Sequence, residues 1–214
     1  MKTIFLTSII AMMVSCPVFA SDVKLFVGAN LAINSISWSE DVDKEYKNMD
    51  INLPDSSLGL GAEIGARLKN NSIYNPGITL AYDYAFDSAA DIKSSSNQAF
   101  NTIEFGFSAI SANFDNYIRF SGNDSKRSDF VFGIGLANAT ERFNVRFTPY
   151  GKSLGLVDEK GKDDGRFVVL KTGLNFEISE KIDFLVNGRW FVPTKSGGDV
   201  DVMFNLNAGL RYVF

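Results

Sequence analysis

The stretch NLNAGLRYVF, Asn205 to Phe214, brings the chain to its last residue on an aromatic ring. With the preceding residue included, Phe204, Leu206, Ala208, Leu210, Tyr212 and Phe214 fall on one face of an extended strand. Asn205, Asn207, Gly209, Arg211 and Val213 fall on the other. A period of two is the signature of a β-strand with chemically different sides. Chain ends are usually polar and frayed unless something ties them down, so an apolar strand that runs to the final residue implies a structural task.

The same alternation recurs upstream. Val23 to Ile33, Leu58 to Leu68, Ile78 to Phe86, Phe130 to Leu136, Val168 to Ile178 and Ile182 to Val192 each carry an apolar phase opposed by a polar or small one. One more segment is less regular. Ile103, Phe105 and Phe107 share one phase, while Ile110, Ala112, Phe114, Ile118 and Phe120 share the other. This pattern predicts one long strand with a bulge near Gly106 to Ser108, because one extra residue exchanges the faces. The total is eight strands.

Two details decide which face meets what. In the seven regular strands the apolar phase carries no Asp, Glu, Lys or Arg. The opposite phase is rich in glycine: Gly28, Gly59, Gly61, Gly65, Gly133, Gly135, Gly173 and Gly209. Glycine weakens a solvated strand but suits the crowded interior of a narrow barrel. The apolar phase therefore faces lipid, where a charge near the midplane would cost about 2–4 kcal/mol. The expected fold is all-β: an eight-stranded antiparallel transmembrane β-barrel with short periplasmic turns and long extracellular loops. The connections Lys69–Pro76, Ser121–Ser128 and Ser179–Lys181 are short. Ser37–Ser56, Asp87–Ala99 and Thr140–Asp164 are long, with Thr194–Asp199 between. Phe143, Val145 and Phe147 alternate inside the third long connection, so a hairpin raised above the membrane, or a fifth hairpin making ten strands, is expected there.

The first twenty residues, MKTIFLTSIIAMMVSCPVFA, join a basic start at Lys2 to an apolar run and the small-residue site Val18-Phe19-Ala20. This is the pattern of a secretory signal peptide cut after Ala20, leaving residues 21–214 as the barrel domain. The apolar run is shorter than the roughly 20 residues of a membrane-crossing helix. Cleavage would remove Cys16, the only cysteine, and with it any disulfide, thiol nucleophile or thiolate metal site. The formal net charge of −4 becomes one unit more negative without Lys2, so nucleic acid is not an expected partner.

Motifs that suggest chemistry have plainer readings. Gly59-Leu60-Gly61-Ala62-Glu63-Ile64-Gly65 mimics a dinucleotide fingerprint, but that motif must open a helix, and here its glycines share one face of a strand. The chain has no histidine, the usual neutral base for activating a nucleophile. Glu63 and Asp83 could form a glycosidase-like carboxylate pair, yet they would lie in an interior too narrow for sugar. The expectation is that this is not an enzyme and binds no cofactor. In the first long loop, Asp41-Val42-Asp43 lacks the glycine and terminal glutamate of a calcium loop, so no metal site is expected. Glu63, Arg67, Asp83, Lys171, Asp183, Arg189 and Arg211 all fall on the inward phase, where charges must pair or be hydrated. A lumenal ion-pair network is expected, with Glu63 and Asp83 neutralised by Lys171 and Arg189. It would either plug the barrel or, by exchange of partners, open a small ion path.

The leader, the segment Asn113-Phe114-Asp115-Asn116-Tyr117-Ile118-Arg119-Phe120 leading to Phe130-Val131-Phe132-Gly133-Ile134-Gly135-Leu136, and the terminal Tyr212-Val213-Phe214 resemble the small outer-membrane barrels of the OmpA/OmpX/Opa class. The resemblance is one of pattern over the whole of residues 21–214. It implies an outer-membrane location and partners in outer-membrane lipid, lipopolysaccharide and the outer-membrane assembly machinery. It makes Leu210, Tyr212 and Phe214 an assembly signal. It also implies a structural, adhesive or surface-interaction role, with a host or phage ligand met by the loops. The alternative is a small-solute or ion channel of the porin kind.

Overall fold

The structure is a computed structural model, and it describes residues 23–48, 53–69, 73–93, 99–123, 126–195 and 199–214. The expected leader and its expected cleavage site lie outside these residues. Eight strands follow in chain order: β1 Val23–Trp38, β2 Ser56–Leu68, β3 Tyr74–Lys93, β4 Ala99–Asn123, β5 Lys126–Phe147, β6 Glu159–Ser179, β7 Ile182–Pro193 and β8 Val200–Val213. Each pairs antiparallel with the next, and β8 returns to β1 from Phe26↔Val213 to Trp38↔Val200. Closure gives the paired backbone no free edge within lipid, where no water could satisfy one.

The barrel is inverted relative to a soluble one. Leu31, Ile64, Leu136 and Leu210 stand outward and exposed, whereas Asn34, Asp115, Asn187 and Arg189 are buried inside. Outward aromatics gather towards both ends. Near the short turns, Phe120 meets Phe130 at 4.5 Å between ring centroids and Tyr212 meets Phe214 at 5.1 Å. Towards the long loops, Trp190 meets Phe204 at 4.8 Å and Tyr84 meets Phe86 at 5.7 Å. These are the interfacial girdles of a transmembrane barrel.

The expected bulge in β4 is not there. β4 keeps an unshifted register with β5 from Asn101↔Phe147 to Arg119↔Asp129. The extra residue lies on β3, where Phe86 and Asp87 together oppose Gly106 between the pairs Ala85↔Phe107 and Ser88↔Phe105. All of Ile103, Phe105, Phe107, Ser111, Asn113, Asp115 and Tyr117 are inward. The hydrophobic pattern changes phase because the lumen changes from apolar to polar along its axis, not because the strand changes parity.

Four strands outgrow the bilayer. β3, β4, β5 and β6 have 20, 25, 22 and 21 residues, against roughly 9–11 for a tilted crossing. On β5 the lipid-facing phase ends at Leu136 and continues as Asn138, Thr140 and Arg142. From Leu136 to Phe147 the strand runs about 35 Å further along its own axis, at about 3.3 Å per residue. The alternation of Phe143, Val145 and Phe147 belongs to this extension, which pairs with β6 as far as Val145↔Glu159. The count therefore stays at eight strands. The extension is capped by the short helix α2, Pro149–Ser153, whose N-cap Thr148 accepts a hydrogen bond from the Gly151 amide. β7 first pairs with β6 at Phe167, so Glu159–Gly165 is hydrogen-bonded on its β5 side alone among the described residues. The first long loop holds helix α1, Glu40–Asn48, on which Lys44 pairs with Glu40 and Lys47 with Asp43.

Candidate functional site

The inward phases of all eight strands converge on a lumen filled in layers. The layer nearest the short turns is centred on Arg67 of β2. Its guanidinium reaches Glu177 at 3.0 Å and Asp183 at 2.9 Å, with Asp129 at 3.8 Å. Lys69 donates to the other Glu177 oxygen at 3.0 Å, and Arg127 pairs with Asp129.

Above it lies the layer built on Glu63, Asp83, Arg189 and Arg211. Arg189 Nη1 donates to both Asp83 oxygens at 2.8 Å, and its Nη2 donates to Glu63 Oε2 at 3.0 Å. Arg211 Nε donates to the other Glu63 oxygen, and Arg211 Nη1 donates to the Tyr117 hydroxyl at 2.8 Å. The same guanidinium lies 4.3 Å from the Phe26 ring centroid, a cation–π contact that favours an arginine over a lysine. Two acids thus share one fork, and one acid is held by two guanidiniums.

Lys171 departs from the expected arrangement. It neighbours Arg189 in register, and its Nζ pairs with Asp115 at 2.8 Å, not with Glu63 or Asp83. Thr79 Oγ1 donates to the same Asp115 oxygen at 2.6 Å. Like charges side by side on β6 and β7 separate by reaching different acids across the lumen. Asp115, Asp129, Glu177 and Arg127 were missing from the expected set. Asp115 shares the phase opposite Phe114 and Ile118, and Glu177 shares that of Lys171, so parity alone could have found both.

The third layer is apolar, where the sequence suggested small and polar residues. Phe107 meets Phe191 at 5.4 Å and Phe167 at 5.9 Å, both edge to face. Phe105 meets Trp38 at 4.9 Å and Phe143 at 5.0 Å. Val200, Met203 and Val169 belong to the same cluster. Above Phe167 the barrel mouth opens into a vestibule of about 590 Å³ between the ends of β5, β6, β7 and β8.

The glycines of the dinucleotide-like segment lie in the strand interior of β2. An added Cβ at Gly59 would come 2.8 Å from Asn34 Nδ2, so this face serves packing inside the barrel. Leu210, Tyr212 and Phe214 share the outward phase, with exposures of 55%, 43% and 66%. The Phe214 amide donates to the Leu25 carbonyl at 2.9 Å. Outside the lipid-crossing part, burial pushes the Glu141 carboxyl up to about 7, with further elevation from Asp163 and Asp199.

No protein-family model matches this chain, and no curated protein sequence does. Solved structures do. Neisserial surface protein A is similar at 16% identity, with 89% of this chain and 97% of that one covered and a TM-score of 0.50. Ail, the attachment invasion locus protein of Yersinia pestis, is similar at 12% identity, with 89% and 98% covered and a TM-score of 0.51. The outer membrane protein OprG from Pseudomonas aeruginosa is similar at 14% identity, with 89% and 95% covered and a TM-score of 0.53. At these identities the likeness is one of fold, and the fold is that of the small eight-stranded outer-membrane barrels.

Proposed function

We propose that this chain is a non-enzymatic outer-membrane barrel, exported by its first twenty residues, whose work is done by the surfaces it raises above the membrane. The observation that carries this reading is the double closure of the lumen. A charged layer pairs Glu63 and Asp83 with Arg189 and Arg211, and an aromatic layer around Phe107 stands over it. A side-chain-filled interior is what eight strands leave room for. Outer-membrane lipid and lipopolysaccharide surround the barrel, and the assembly machinery reads Leu210, Tyr212 and Phe214. The raised β3–β6 wall presents α2 and the loop tips to a host or phage ligand. Ail is named for attachment and invasion and has been seen with the heparin analogue sucrose octasulfate; a comparable attachment role is the reading extended to this chain.

The channel reading has one observation in its favour. Asn30, Asn175 and Asn187 carry buried amide atoms without a protein partner, and buried polar groups of this kind are normally hydrated. Conduction would still require both the Phe105–Phe107 layer and the charged layer below it to part. Planar-bilayer recording on refolded protein separates the two. The expected trace is flat for the wild type, and still flat when Phe105 and Phe107 are both changed to Ala, because the charged layer beneath them remains closed. Steady conductance from the wild type would establish the channel instead.

A further inference from the structure

The vestibule above Phe167 holds a charged group that none of the layers uses. Glu141 lies on the inward phase of β5, five residues beyond Leu136, and is 7% exposed. Its carboxylate lines the vestibule together with Asp163, Asp164, Arg166 and Lys195, all of which are exposed. Among the described residues it has no hydrogen-bond or ion-pair partner, although Arg166 and Lys195 stand on the same walls. Every other deeply buried carboxylate of the barrel, from Glu63 to Asp183, faces a cation. A buried carboxylate without a counter-charge is expensive, and its charged strand partner here, Asp163, is another acid.

We propose that this vestibule binds an organic ammonium group, taken by Glu141 with Asp163, on a ligand whose aliphatic body lies against Phe167, Pro193 and Val200. An ammonium fits better than a metal ion. No three carboxylates of the described residues approach as metal ligands would, and hard divalent cations need several oxygens at once. The apolar floor also offers nothing to a hydrated ion, whereas it contacts a methylene chain. A cavity of about 590 Å³ is in the range of small-molecule sites. The inference goes beyond the attachment role and does not depend on it, since the vestibule is present whether or not the loops meet a partner.

The pH dependence follows from the surroundings of Glu141. β6 contributes Asp163, Asp164 and Arg166, and the segment after β7 contributes Lys195. Asp199 acts on Glu141 from before β8 and also raises Tyr46 of α1. Across the β4–β5 pair stands the uncharged Phe107. Burial and the two neighbouring acids hold Glu141 up at about 7. Ammonium binding must therefore expel a proton near or below neutrality, and affinity must rise with pH.

The test is calorimetric titration of the full chain, refolded in detergent, with 1,5-diaminopentane at constant ionic strength. Saturable binding is expected at pH about 8, weakening by up to about tenfold per pH unit below Glu141's own pKa. The heat should depend on the buffer, reporting proton release. Glu141→Gln should abolish saturation, while Glu180→Gln, the same charge change at the opposite end, should leave it intact. The proposal is overturned by equal binding to Glu141→Gln and wild type, or by equal loss in Glu180→Gln. It is also overturned by equal binding of 1-pentanol, by displacement with comparable Mg²⁺, or by wild-type affinity that does not change with pH. The last three readouts use the wild type and stand even if a variant fails to fold.

Discussion

Arg189 is a fork held between two acids of the lumen. It is fully buried and donates to Asp83 and Glu63 together. Removing one partner of a buried pair leaves the other charge uncompensated, at about 3–5 kcal/mol. Arg189→Ala should therefore lower the thermal midpoint in detergent sharply, while Arg189→Ala combined with Asp83→Asn should recover part of the loss. Absence of any recovery would show that Arg189 acts through packing alone. Gly28 limits the same layer sterically, since an added Cβ would meet Arg211 Cγ at 2.9 Å and Glu63 Cγ at 3.1 Å. Alternation was enough to place Arg189, Arg211 and Glu63 inside. It could not say that Lys171 reaches Asp115, because parity fixes the face of a strand and not the partner across a closed lumen.

β4 carries two kinds of interior on one face, aromatic from Ile103 to Phe107 and polar from Ser111 to Tyr117. A reader of hydrophobicity alone sees two phases and inserts a bulge. The register shows one phase, with the extra residue on β3 opposite Gly106. The raised part of β5 and β6 is a separate matter. Its ladder is regular from Thr140↔Asp164 to Val145↔Glu159, and α2 sits beyond the bilayer on top of it. Replacing residues 144–160 with Asn-Gly would join the existing partners Phe143 and Gly161 through a two-residue turn that suits a hairpin. The shortened protein should refold with a thermal midpoint close to that of the wild type and lose attachment to whatever the wall meets. Failure to refold would mean that the wall supports the aromatic layer and is not a separable platform.

For the barrel as a whole, β8 completes the ring and Phe214 is its outermost contact. Its amide bonds Leu25 and its ring touches Tyr212, yet the side chain is 66% exposed and reaches no lumen residue. Deleting Phe214 therefore removes about 1 kcal/mol of hydrogen bonding and a modest aromatic contact, and refolding in detergent should survive. Yield in the outer membrane should fall much further if assembly reads this ring before the strands close. Equal yields of the deleted and intact chains would dismiss the signal role. The closed eight-strand architecture was legible in the sequence because lipid forbids charges on one phase of every strand. The aromatic layer was not, because Phe105 and Phe107 look like lipid-facing residues until register assigns them to the inside, and parity, which does place Phe167 and Phe191 inward, cannot say that they meet Phe107.

The stretch of β6 from Glu159 to Gly165 that has no β7 beside it also bears on how copies share a crowded membrane. An exposed strand edge invites another chain to pair with it. Here the sequence is Glu-Lys-Gly-Lys-Asp-Asp-Gly, with side chains exposed throughout except at the final glycine. A second copy sliding in alongside would have to set its own charges against these and strip water from both rows. Neighbouring barrels can thus sit close without their walls zipping into a continuous sheet, and each wall remains an individual platform at high surface density.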